Sequence, residues 1–267
     1  MKTKTLVTGL LLSAVLVTTG QTAHAEETAQ GLNKTGSANV ELTPGSDIIV
    51  PPTTDPNPPT GPMLPVKDLG ITSATDLYFD AISLTSTTTT RDALYIKSDG
   101  TPISNVAPKD GSLADIPQDG TAYVPGYSVT DRRGTGAGWN LTLTLGDFVE
   151  QNVAEGATAH TLKGAQLSFP QVTPITTADA SGSLAPSTVK QTFEAGGSAK
   201  VLMSAAKDQG MGLWEARYNS RELTLSNGTT TEKQPIQLSV PGNNYAGQYK
   251  ATLTWDLADA PTAAAAE

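Results

Sequence analysis

The sequence predicts an all-β protein, a sandwich or barrel-like domain of antiparallel strands joined by long loops. Threonine, serine and glycine are abundant and long helix-forming stretches are scarce, a composition that favours strands. Turn signals recur, among them Ser98-Asp99-Gly100, Asp119-Gly120, Ser226-Asn227-Gly228 and Pro241-Gly242. Two segments alternate apolar and polar residues strictly, the signature of strands with one buried face.

Between the turns lie short alternating segments: Leu77–Leu84, Ala93–Lys97, Tyr127–Thr130, Gln166–Phe169, Val189–Phe193, Ala199–Met203, Glu222–Ser226 and Ile236–Val240. In the first long alternation Trp139, Leu141, Leu143 and Leu145 share a face, opposite Asn140, Thr142 and Thr144. In the second, Tyr249, Ala251, Leu253, Trp255 and Leu257 oppose Lys250, Thr252, Thr254 and Asp256. At about 3.3 Å per residue this second strand would run ~30 Å, long for a globular protein. Tryptophan and leucine two residues apart are neighbours on one face. Such residues either pack inward or stack on a ligand at an edge or groove, and the pattern leaves both open. Leu143 and Leu253 belong to the core on either reading.

Residues 1–25 read as an export signal. Lys2 and Lys4 precede the apolar run Leu6–Val17, and Ala23-His24-Ala25 is a small-x-small cleavage site. Cleavage is expected between Ala25 and Glu26, since the apolar run falls short of the about 20 residues that span a bilayer. The cut removes two of 17 basic residues, leaving 15 against 26 acidic ones, a net charge of −11. So acidic a chain is a poor partner for nucleic acid or anionic membranes, and any binding to an anionic polymer needs a local site. There are no cysteines, so no disulfide staples the exported chain. The C-terminus shows no sortase signal, so retention on a cell is expected to be non-covalent.

About 240 residues would remain, which fits one large β domain or two small ones. Residues 26–37 are expected to be a flexible segment and 38–262 the β domain, beginning with a short strand at Ala38–Thr43; 263–267 form a tail. The proline-rich stretch within 50–66 cannot sit inside a sheet and is expected to be an exposed, mobile loop.

The glycine-rich run Thr130-Asp131-Arg132-Arg133-Gly134-Thr135-Gly136-Ala137-Gly138 predicts a tight, left-handed approach to the first long strand. Asp131 is placed to accept from loop amides and Arg132 to pair with it. Arg132 and Arg133 are also the densest positive charge in the chain and candidates for an anionic group. Gly210-Met211-Gly212-Leu213-Trp214 predicts a glycine-flanked turn that places the third tryptophan.

Catalytic resources are few. The mature chain keeps one histidine, His160, which excludes a histidine metal cluster, and the lack of cysteine excludes a thiol nucleophile. His160 lies in Ala159-His160-Thr161, with no nucleophile elbow to serve. Asp147, Glu150 and Asp256 are the acids nearest the long strands, and they read as solvated charge. No enzyme activity, metal or cofactor is expected.

Together, Val129 to Leu141, Gly210-Met211-Gly212-x-Trp214, Tyr249 to Leu257 and Asp259-Ala260-Pro261 resemble the WxL-domain surface proteins of low-GC Gram-positive bacteria. The resemblance runs over essentially the whole mature chain. It implies a secreted, cell-surface protein attached non-covalently to the peptidoglycan of the wall. It places Trp139, Leu141, Trp255 and Leu257 at the positions the family is named for, with Asp131, Arg132, Arg133 and Trp214 beside them. It further implies partners: a membrane-anchored protein with immunoglobulin-like regions and, in some cases, host matrix proteins. An adhesin or assembly subunit whose main ligand is a protein is therefore the alternative to a wall-binding module.

Overall fold

The computed structural model describes residues 60, 68–83, 85–105, 122–176, 184–224 and 230–259, all within the unit Thr43–Glu267. The expectations for the export signal, the Ala38–Thr43 strand and the terminal tail fall outside these residues. The described chain is nearly all β, in antiparallel sheets that do not close into a barrel.

The strands run β1 (Leu69–Ala74), β2 (Thr89–Asp92), β3 (Tyr95–Lys97), β4 (Pro102–Ile103), β5 (Ala122–Tyr123) and β6 (Gly126–Asp131). Then follow β7 (Trp139–Leu145), β8 (Val149–Gln151), β9 (Gln166–Phe169), β10 (Ser187–Thr188), β11 (Gln191–Glu194) and β12 (Lys200–Ala205). The last are β13 (Gly212–Arg217), β14 (Leu223–Thr224), β15 (Thr230–Thr231), β16 (Gln237–Val240), β17 (Gln248–Lys250) and β18 (Leu253–Ala258). Three sheets build the body, in the orders β1-β6-β13, β10-β12-β7-β18 and β11-β9-β16-β2. Their inner faces meet in one core that includes Tyr127, Val129, Trp139, Leu141, Leu143, Leu167, Phe169, Phe193, Leu202, Trp214 and Tyr218. A smaller sheet, β4-β3-β5, encloses a satellite core of Tyr95, Ile103, Ala122 and Val124.

Most of the short alternating segments are strands, Gln166–Phe169 to the residue. Leu77–Leu84 is not: its described part carries a single bridge, Phe79 to Ala93. Leu77, Phe79 and Ile82 still pack on the core, so their apolar spacing anchors a loop. Two expected strands come out shorter because the chain changes sheets beside or within them. Val189–Phe193 is strand only from Gln191, where β11 begins its pairing with β9; Val189 and Lys190 link it to the preceding β10, which pairs with β12. Tyr249–Leu257 divides between β17, paired with β8, and β18, paired with β7. The junction lies at Ala251-Thr252, where Gly146 N–H donates to the Thr252 carbonyl at 2.9 Å. The ~30 Å strand is thus two shorter ones, yet all five apolar residues of its face pack on the core as the alternation requires.

The outer face of the β1-β6-β13 sheet is polar and nonetheless buried. Ser128 Oγ lies 2.7 Å from both Thr72 Oγ1 and Ser73 Oγ. Ser73 Oγ reaches Thr60 Oγ1 at 2.5 Å, and Thr75 Oγ1 donates to the Thr60 carbonyl at 2.8 Å. Thr60 is the one described residue of the proline-rich stretch, and it is fully buried rather than exposed. Its methyl rests over Gly126, where a Cβ would approach it to 2.8 Å. A small hydroxyl side chain can satisfy its neighbours' polar groups while filling that space.

Candidate functional site

β7 and β18 lie side by side, and their register zips the two Trp-x-Leu segments together. Leu253 opposes Leu145, Trp255 opposes Leu143 and Leu257 opposes Leu141. Cross-strand partners share a face, so these six residues form one apolar layer with the Trp255–Leu143 pair at its centre. Trp139 stands one pair beyond the end of β18, opposite Ala205 of β12.

The two tryptophans have different surroundings. Trp139 is fully buried, and its indole Nε1 donates to the Gly210 carbonyl at 3.1 Å. Trp214, 2% exposed, donates from Nε1 to the neighbouring Met211 carbonyl at 2.9 Å. Two buried indole N–H groups are therefore satisfied by consecutive backbone carbonyls, which explains the Gly-Met-Gly spacing. Gly210 holds φ +71°, and a Cβ there would lie 2.8 Å from Trp139 Nε1. Trp214 is thus placed as the sequence predicts, although Gly212 begins β13 instead of closing a turn. Trp255, by contrast, is half-buried on a strand that pairs only with β7 among the described residues. Its ring centroid is 5.2 Å from that of Tyr127, so one side of the ring is core.

The glycine run adopts the expected left-handed conformation, with φ of +67°, +60° and +78° at Gly134, Gly136 and Gly138. Gly138 passes so close to β12 that a Cβ would meet the Ala205 carbonyl at 2.4 Å. The arginine partner of Asp131 is Arg133, not Arg132. Arg133 Nε and Nη2 reach Asp131 Oδ1 and Oδ2 at 3.0 and 2.9 Å, and Arg133 N–H donates to Oδ1 at 3.1 Å. Residues two apart on an extended chain share a face, so Arg133 follows the inward-facing Asp131 while Arg132 points away.

Arg133 does more than pair. Nη2 also donates to the Gly138 carbonyl at 2.9 Å, and Nη1 donates to the Asp259 carbonyl at 3.0 Å. One guanidinium thereby ties the end of β6, the entrance to β7 and the exit from β18. The Asp131 carboxylate beside it, chiefly through hydrogen bonding, holds Arg133 even more firmly protonated than an ordinary arginine. Four of its five side-chain N–H donors are thus engaged within the protein. Arg132 has its backbone N–H on the Asp68 carbonyl at 2.6 Å, and its Nη1 is enclosed without an acceptor.

His160 is not a solitary loop histidine. Its Nδ1 lies 2.6 Å from Glu150 Oε2, the same oxygen accepts from His160 N–H at 3.1 Å, and its ring stacks on Tyr245. Glu150 is consequently hydrogen-bonded rather than simply solvated. Asp256 is exposed on β18. Among the described residues no three histidines, cysteines or acids gather as metal ligands do. A shallow groove lined by Ser168, Pro170, Lys190, Lys233 and Gln237 carries two lysines, one of which is already paired with Asp92 at 2.8 Å.

Sequence reasoning missed the Gly210 and Met211 carbonyls as indole acceptors and Asp259 as the far end of the arginine staple. Only the grouping of the Asp-Arg, Gly-Met-Gly and C-terminal segments could have hinted at them. Tyr245 was missed as well. Its position in a loop bounded by Gly242 and Gly247 marks it as exposed, but its partners are distant in sequence. Ala25 and Glu26 lie outside the described residues.

No curated protein and no solved structure matches this chain. A family model does, the WxL domain surface cell wall-binding model, over residues 29–261. That span contains both zipped segments, the arginine staple and the Gly-Met-Gly acceptors, and the chain belongs to the WxL family of cell wall-binding surface domains.

Proposed function

We propose that this domain binds the peptidoglycan of a Gram-positive cell wall non-covalently, holding the protein, or a complex that contains it, on the cell surface. The observation that carries the reading is the family match over 29–261, nearly the whole chain after the expected cleavage. The acidic composition agrees with a ligand whose recognition is local rather than a bulk attraction to anionic polymer. In this reading the Trp-x-Leu residues build the domain, because Trp139 and Leu141 are fully buried and Trp255 and Leu257 pack on them. The wall is met by other groups on the surface. Export with cleavage between Ala25 and Glu26 belongs to the same proposal, and N-terminal sequencing of the protein recovered from cells tests it.

Mixing the purified protein with insoluble peptidoglycan stripped of teichoic acid and measuring the pelleted fraction tests wall binding. Pelleting that persists at moderate salt is expected. A protein that stays in the supernatant sinks the reading and turns attention to a protein partner.

One observation favours that second reading, an adhesin or assembly subunit. β18 pairs with β7 on one side and with no strand on the other among the described residues, so its outer edge offers backbone donors and acceptors for strand addition. A membrane-anchored surface protein with immunoglobulin-like regions or a host matrix protein would be the partner. Co-purification from wall-free membranes distinguishes it from wall binding.

A further inference from the structure

We draw no further inference here: the strongest candidate, the outer edge of β18 with the half-buried Leu253, Trp255 and Leu257 along it, already grounds the protein-partner reading, and nothing among the described residues shows what covers it.

Discussion

Removing the indole of Trp139 would empty a fully buried volume and leave the Gly210 carbonyl without its donor. Trp139→Ala should therefore cost about 3–5 kcal/mol in denaturant unfolding. Trp255→Ala removes a half-buried ring from a strand at the edge of its sheet, and its cost should be clearly smaller than that of Trp139→Ala in the same assay. Equal losses would contradict the difference in burial. The two arginines differ more sharply. Arg133→Lys keeps the charge but loses the fork that grips both oxygens of Asp131, together with the bonds to the Gly138 and Asp259 carbonyls. It should cost about 1–3 kcal/mol, whereas Arg132→Lys should stay within about 0.5 kcal/mol of the parent. Pairing of some arginine with Asp131 was legible in the sequence. The choice between adjacent arginines was not, because it depends on which face of the extended chain meets the buried carboxylate.

At the scale of elements, alternation shows which residues share a face more reliably than it shows where a strand stops. The face Tyr249, Ala251, Leu253, Trp255 and Leu257 was legible, and all five residues pack on the core. The break at Ala251-Thr252 was not, since a chain can change hydrogen-bonding partners between sheets without disturbing its inward and outward rhythm. β13 was hidden for another reason. Its central residue Glu215 is 1% exposed beside Arg217 at 3.0 Å, and a charged pair inside a strand spoils the apolar signature. The contact of His160 with Glu150 and Tyr245 was also beyond reach, because the three residues come from separate segments. Glycines, however, were informative where the backbone is left-handed, and two of them make a sharp comparison. Gly210 and Gly134 have φ of +71° and +67°, but a Cβ at Gly210 would meet the Trp139 ring while one at Gly134 would meet nothing within 4 Å. Gly134→Ala should cost about 1–2 kcal/mol, the left-handed penalty alone. Gly210→Ala should add overpacking and reach about 2–4 kcal/mol. Thermal unfolding of the two variants checks the order.

The whole domain is joined by aromatic rings that bridge its sheets. Tyr127 of β6 packs on Trp255 of β18 at 5.2 Å and on Tyr218, beyond β13, at 6.0 Å; Tyr218 meets Phe169 of β9 edge-on at 5.5 Å. Three sheets thus share one aromatic seam, and the Tyr127 and Tyr218 hydroxyls at its centre lie 3.1 Å apart. Burial raises both hydroxyls above the ordinary tyrosine value, and burial does the same to Tyr95 in the satellite core, against a smaller opposing pull from Arg221. In the unfolded chain these groups lose their protons near pH ~10. Below that pH both states hold the protons and the stabilisation is complete. Above it the unfolded state releases them while the folded state keeps them, so stability falls as pH rises. Neither seam hydroxyl can ionise in place without putting a charge among buried rings. Phenolate absorbance should therefore rise in two stages: first from exposed tyrosines with the fold intact, then from the buried ones in a steep step that coincides with loss of near-ultraviolet circular dichroism. Tyr127→Phe should shrink that second step while leaving it cooperative. A gradual second stage with dichroism retained would mean that water reaches the seam and that the three sheets do not unfold as one unit.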